Sequence, residues 1–300
     1  MIENLGKVVQ ATITDKNEKK AYAQIEGVTF EISEPIEANI GDEVTGFIYI
    51  NRHDKYKMTI NPPTIQVDQL GYGTVVGTRR DLGVFVDIGL EDKDIVVSLD
   101  ILPVYHEVWP NTGDTLRLSL YVDKENRMWG QLADNSDFIE RSKTADKSTF
   151  NNDVEGIIYS SKKAGSHLFT DEHYIGFIHP SEREIEPRLG QRVKGRIIAV
   201  HPDGTVNVSL LPRAHEMIDD DAQMIYEVLK RSPDQRMPYW NKSDPDAIRD
   251  FFGISKAAFK RAYGNLLKQG LVTQEDGETI LLKEKEPEAV EEKDSTEEDA

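Results

Sequence analysis

The chain contains no cysteine. Disulfides and thiolate metal sites are therefore excluded, and a reducing cytoplasm is the expected location. Long apolar runs are missing too. No segment approaches the roughly 20 residues that a membrane helix needs. The opening "MIENLGKVVQ" has neither the basic start nor the apolar run of a secretory signal. There is no Walker motif, no Gly-rich dinucleotide loop and no Ser-His-Asp pattern, and the acids lie dispersed over polar turns or in the tail. An enzyme is not expected, and neither is a cofactor. Cations are in short supply: 36 Lys and Arg face 54 Asp and Glu, a net charge of −18. Taken whole, that charge opposes a nucleic-acid partner, because phosphate repels carboxylate.

What is present is repetition. "GDEVTGFIYINRHDKYKMTI" from Gly41, "GDTLRLSLYVDKENRMWGQL" from Gly113 and "GQRVKGRIIAVHPDGTVNVSL" from Gly190 share one pattern, with starts 72 and 77 residues apart. Each reads as Gly, two polar residues, an aliphatic, an alternating strand, a polar turn and a second alternating strand. Asp203-Gly204 is a strong hairpin signal. Further strands precede each hairpin, as in "GVFVDIGLEDKDIVVSL" and "GSHLFTDEHYIGFIHPS". Units of about five short strands joined by Gly-rich turns predict small antiparallel barrels. A chain of 300 residues accommodates two to four such domains.

One stretch in the second unit sets a puzzle. In "DLGVFVDIG", strand alternation places Val84, Val86 and Ile88 on one face and Phe85 with Asp87 on the other. The largest apolar ring falls on the polar side.

"GTVVGTRRDLGVFVDIG", the following "GD" turn and "YVDKENRMWGQL" resemble an S1-type RNA-binding domain, a five-stranded OB barrel. "GFIHPS" in the third unit is close to that family's strand-three signature, and the first unit is the most divergent. After Pro212 the period changes. "DDDAQMIYEVLKRS" is amphipathic at helical spacing through Met224, Ile225, Val228 and Leu229, with Asp219 to Asp221 suiting a helix start. "SDPDAIRDFFG" has Pro245 at a first helical position and Gly253 as a stop. "ISKAAFKRAYGNLLKQG" follows, with Ser255 as N-cap and apolar positions Phe259, Ala262, Leu266 and Leu267. "LVTQEDGETILL" predicts a two-stranded ribbon turning at Asp276-Gly277. Helix, helix, turn, helix, hairpin is the winged-helix order.

Three S1-like barrels with this C-terminal domain resemble the bacterial conserved virulence factor B family over residues 1 to 283. "MPYWNKSDPDAIRDFFGISKAAFKRAYGNLLKQG" is the most specific part. The resemblance implies an RNA-binding protein of post-transcriptional regulation, with virulence-associated gene regulation in the family. The expected organisation is a divergent barrel over 1–63, a barrel plus linker over 64–147, a barrel over 148–213, a winged helix over 214–283 and a disordered acidic tail over 284–300, where nine acids face two lysines.

That tail carries −7 of the net charge, residues 64–135 carry −6, and residues 151–213 balance to zero. Gly253 to Gln274 holds Lys256, Lys260, Arg261 and Lys268 and no acid. Lys256 and Lys260 share a helix face. Salt screens acids beyond about 8–10 Å, so a local basic surface can bind phosphate on an anionic protein.

OB barrels stack bases on exposed aromatics. The S1 resemblance aligns Phe85 with the stacking platform, and Arg127 and Asp123 with a basic and an acidic residue of the same surface. Elsewhere it gives Tyr22 and Lys55 in the first unit. In the third it gives His167 at the platform and His179 in "GFIHPS", with Thr205 replacing the arginine and Val97 at the matching strand-three position of the second unit. The alternative for Phe85 is burial against a neighbouring domain. His179 alternatively serves its own loop, and Trp109 and Trp240 are read as packing residues. His173 and His179 lack a thiolate or nearby carboxylate to complete a metal site. The expected partner is single-stranded RNA, held mainly by the third barrel and the winged helix. The alternative is a scaffold docking on ribosome or transcription machinery. No membrane partner is expected. Duplex DNA is disfavoured because Glu275, Asp276 and Glu278 crowd the wing.

Overall fold

A computed structural model describes residues 4–212 and 220–282. The expected tail over 284–300 and Asp219 lie outside the described residues. The fold divides after Leu210 into two units.

The first unit contains three closed five-stranded sheets. The first barrel is built from β1 (Val8–Lys16), β2 (Ala21–Ile25), β3 (Val28–Ile32), β4 (Glu43–Ile50) and β5 (Tyr56–Thr59). The second has β6 (Gly71–Arg79), β7 (Gly83–Asp87), β8 (Ile95–Ser98), β9 (Thr115–Val122) and β10 (Met128–Leu132). A short helix α1 (Asn135–Ile139) follows in the connector. The third barrel has β11 (Asp153–Lys162), β12 (Gly165–Thr170), β13 (Ile175–Ile178), β14 (Arg192–Val200) and β15 (Val206–Ser209). In each, the first strand pairs with the second and fourth, and the third pairs with the fifth. That last pairing is parallel in all three, so the barrels are not purely antiparallel as expected. The cause is topological: the fourth strand leaves the third by a long connection and the fifth must return beside it in the same direction.

Alternation sorts the side chains as the pattern demands. Val84 and Val86 are buried and Phe85 is half-buried on the outer face. Gly83 and Gly165 open the second strands of their barrels at positive φ (137° and 150°). A Cβ at Gly83 would strike the Val97 carbonyl, and one at Gly165 the Phe177 ring. Only glycine fits these approaches.

The first strand of each barrel carries a register shift beside the second strand, between Ile13 and Asp15, Val75 and Gly77, and Ile158 and Ser160. One extra residue, Thr14, Val76 or Tyr159, is thereby inserted. Such a bulge bends the strand and re-aims the extra side chain.

The barrels are joined by shared packing. The second barrel's core takes in Leu5 and Phe47 from the first and Leu189 from the third. The Tyr49 hydroxyl donates to Asp92 Oδ1 at 2.9 Å, and Asn51 Nδ2 to Asp92 Oδ2 at 2.7 Å. Arg188 grips Asp114 with two bonds of 3.0 and 3.1 Å, with Asp114 buried and Arg188 half-buried. A bidentate pair of this kind fixes orientation through its planar fork.

The second unit holds α2 (Asp220–Arg231), β16 (Arg236–Met237), α3 (Pro245–Phe252), α4 (Lys256–Lys268), β17 (Val272–Glu275) and β18 (Glu278–Leu281). Asp244 and Ser255 cap α3 and α4, and Gly253 ends α3 at φ 70°. The wing turns at Asp276-Gly277 with both residues at positive φ, as the dipeptide predicts. Two expectations are corrected. The ribbon has a third strand, because Arg236 and Met237 pair with Ile280 and Thr279. Leu267 is exposed, and Tyr263 is buried in the core in its place, because the 3.6-residue period runs through 259, 262, 263 and 266.

Candidate nucleic-acid interface

Strand pairing defines one outward row of side chains on each barrel. In the second barrel the row runs Phe85, Val96, Trp129, Tyr121. In the third it runs His167, Phe177, Asn207, Ala199. In the first it runs Tyr22, Glu31, Lys57, Tyr49. The expected platform residues Tyr22, Phe85 and His167 thus occupy equivalent places. Each lies beside its barrel's bulge.

The second barrel's row is the most aromatic. Trp129 is half-buried and Tyr121 is exposed. Neither was anticipated, although period-two alternation from Met128 would have placed Trp129 outward. Asp123 organises this end. Its Oδ2 accepts from Arg127 Nε at 2.7 Å and Trp129 Nε1 at 3.0 Å, and its Oδ1 from the Arg127 backbone at 2.9 Å. Desolvation opposes the charged carboxylate, but these bonds outweigh it and hold Asp123 well below the usual carboxylate range. The Arg127 guanidinium also meets Glu125 at 3.0 Å and lies 5.6 Å from the Trp129 ring centre. It is exposed, but its charge is met by two acids. Its planar cation lies beside an indole.

The first barrel's row carries an ion-pair cluster. Glu31 pairs with Lys57 at 2.8 Å and Lys20 at 2.7 Å, beside Tyr22. Hydrogen bonds from Lys20 and Lys57 lower the Glu31 pKa to about 2. Tyr49, at the far end, is spent on Asp92. Lys55 lies exposed in the turn, two residues before Lys57 in the row.

In the third barrel, His167 lies 5.3 Å from the Phe177 ring and 5.8 Å from Tyr159. Burial and the charge of Lys162 both lower its pKa. Its Nδ1 is buried without a hydrogen-bond partner among the described residues. Charging the ring would put a proton on both nitrogens and leave that N–H unsatisfied, which favours the neutral ring. His179 is exposed and caps a turn, accepting from the Ser181 N–H at 3.2 Å. Its counterpart in the second barrel is Ser98, which caps the equivalent turn by accepting from Asp100. The earlier alignment to Val97 is therefore one residue off. Val97 points into the core, and a shift of one exchanges the faces of a strand. Thr205 bonds to Asp203 within its turn.

Charge balance in the third barrel does not mean free cations. Arg183, Arg188, Arg192 and Lys194 are all in ion pairs, with Glu186, Asp114, Asp171 and Glu155 among their partners. Arg196 bonds to Asn151. Lys162 and Lys163, at the β11–β12 turn near His167, are exposed and form no ion pair among the described residues.

On α4, Lys260, Arg261 and Lys268 are exposed and form no ion pair among the described residues. Lys256 is not among them, because its Nζ donates to the Ser243 carbonyl and is half-buried. Lys256 and Lys260 lie one helical turn apart, with the Lys256 ammonium turned to the Ser243 carbonyl. Glu275 and Asp276 are exposed on the wing, whereas Glu278 meets Arg236 at 3.6 Å. Trp240 lies 5.4 Å from Lys242.

Tandem S1-type barrels with outward aromatic rows, and a winged helix with a cationic helix face, define a multidomain protein of nucleic-acid-binding modules. Family models agree domain by domain. Residues 5–61 match an S1 domain, 70–131 the first S1-like domain of CvfB, 138–212 the second domain of the virulence regulatory factor CvfB, and 223–281 the CvfB-like winged helix. The chain is 44% identical to the Bacillus subtilis protein YitL over 253 residues, covering 84% of each. It is 39% identical to conserved virulence factor B of Staphylococcus aureus (strain USA300) over 255 residues, again covering 84% of each. A crystal structure of a multidomain protein with nucleic acid binding domains from Streptococcus pneumoniae superposes with a TM-score of 0.68 at 42% identity, over 93% of this chain and 99% of that one. The chain belongs to the conserved virulence factor B family. Among the described residues, no helix is long and apolar enough to cross a membrane.

Proposed function

We propose that this protein binds single-stranded RNA and regulates gene expression after transcription. The third barrel and the winged helix make the main contacts, and the second barrel adds a stacking surface. One observation carries the assignment to the third barrel: its aromatic row is flanked by Lys162 and Lys163, which have no ion pair among the described residues, whereas Glu31 blocks the row of the first and acids engage Arg127 in the second. Lys260, Arg261 and Lys268 supply the second phosphate-binding surface. The protein holds its ligand and releases it unchanged. Exposed acids on the wing favour RNA over duplex DNA. The reading places the protein in the cytoplasm.

The test is binding of single-stranded RNA, matched single-stranded DNA and duplex DNA by the intact chain across salt. RNA binds tightest, with an affinity that falls as salt rises. Equal affinity for the duplex overturns the reading. A second reading, a scaffold for ribosome or transcription machinery, draws on the β8–β9 and β13–β14 connections. These expose Val104 (88%), Tyr105 (70%) and Ile185 (82%), an unusual cost for tips that meet only water.

A further inference from the structure

The row on the third barrel is adjoined by a cavity of about 390 Å³, whose lining includes Asp134, Asn135, Tyr159, Ser160, Lys162 and His167. It is built once. The bulge residue is Thr14 in the first barrel and Val76 in the second, but Tyr159 here. One face of that ring is covered by Phe138 of the connector at 4.1 Å, and its hydroxyl donates to Asn135 Oδ1 at 2.8 Å. The connector and the barrel therefore share the walls, and the volume lies within the range of small-ligand sites.

The lining chemistry is differentiated. His167 presents a neutral ring, suited to lie against a base rather than to bind phosphate. Lys162 is the cation and has no ion pair among the described residues. Asp134 spends Oδ1 on the cap of α1, accepting from the Ser136 N–H at 2.7 Å, the Asp137 N–H at 3.2 Å and the Ser136 hydroxyl at 2.5 Å. Those bonds hold its pKa below the ordinary value. Its Oδ2 receives no hydrogen bond among the described residues, which leaves an ionised acceptor at the cavity. A carboxylate accepts from the exocyclic amino group of a base, and uracil has none.

We propose that this cavity is a site for one unpaired RNA nucleotide whose base carries an exocyclic amino group, with the ring against His167, the amino group on Asp134 and a phosphate at Lys162. The inference rests on the RNA-binding reading and adds a base preference set by the connector. It is tested in the full chain with oligocytidylate and oligouridylate 12-mers, two pyrimidines of equal size. The wild-type chain prefers the cytidylate about tenfold. Asp134→Asn keeps a good helix cap but turns the free oxygen into an amino donor, so the preference collapses or reverses towards uridylate. Asn135→Trp fills the cavity from the connector side, and cytidylate affinity falls about tenfold towards that for uridylate. Thermal unfolding of each variant shows that it is folded. A wild-type chain that binds both oligomers equally, or a cytidine preference unchanged in Asp134→Asn, overturns the site while the RNA-binding reading stands. A chain that binds neither overturns both.

Discussion

The ring of Phe138, in the connector after the second barrel, lies 4.1 Å from the ring of Tyr159 on the third, with 19° between their planes. Phe138 is 3% exposed and also packs at 5.4 Å from Phe169. Phe138→Ala should therefore cost about 3–5 kcal/mol of stability, seen as a lower melting temperature. An unchanged melting temperature would show that the connector is not anchored there.

In the second barrel, Phe85→Ala should reduce RNA affinity by roughly 1–3 kcal/mol, with Trp129→Ala at least equal to it. Phe85→Trp should preserve binding, since any flat aromatic face serves. Both positions lie outside the core, so unfolding temperatures should shift little. A strongly destabilised Phe85→Ala protein would defeat the stacking assignment.

The four cations of α4 should separate into two classes. Replacing Lys260, Arg261 and Lys268 with Ala should flatten the slope of log affinity against log salt by about 0.7 per contact. Lys256→Ala should leave the slope alone and lower stability instead, because the Ser243 carbonyl loses its donor. Salt titrations of the triple and single variants distinguish these outcomes.

Glu31 makes acid stability measurable. Its pKa is about 2 in the folded chain, held down by Lys20 and Lys57, and close to 4.3 when unfolded. Its contribution is present in full above the unfolded value and is lost as pH falls through the folded one. Melting temperature should fall more steeply from pH 5 to pH 2 in the wild type than in Glu31→Gln. Parallel profiles would refute the linkage.

How much of this was legible in the sequence depended on range. Alternation at Val84, Phe85 and Val86 is a local signal, and it placed the ring on the outer face. So are the caps at Asp244 and Ser255 and the turn at Asp276-Gly277. The row was only partly legible, because it is assembled by pairing between strands far apart in the chain. Trp129 joins Phe85 through Val96, and nothing between residues 85 and 129 announces that register. The shift from Val97 to Ser98 has the same origin. Bulges hide their residue, so Tyr159 read as an ordinary strand position. Ion pairing was the least legible. Lys256 reads as a free cation until Ser243 is brought beside it, and the third barrel reads as neutral whether its charges are paired or open.

The junctions at Asp92 and Asp114 bear on how a target is chosen. Arg188 and Leu189 belong to the third barrel but are anchored in the second, so separating the two would expose both. The rows they carry are held like marks on a ruler. On the RNA-binding reading, an RNA touching both would offer its contact nucleotides at one set interval, and the intervening bases would be free to vary. Such a protein would read distance along a strand as much as letters, and inserting or deleting a nucleotide between two contacts would cost more than changing one.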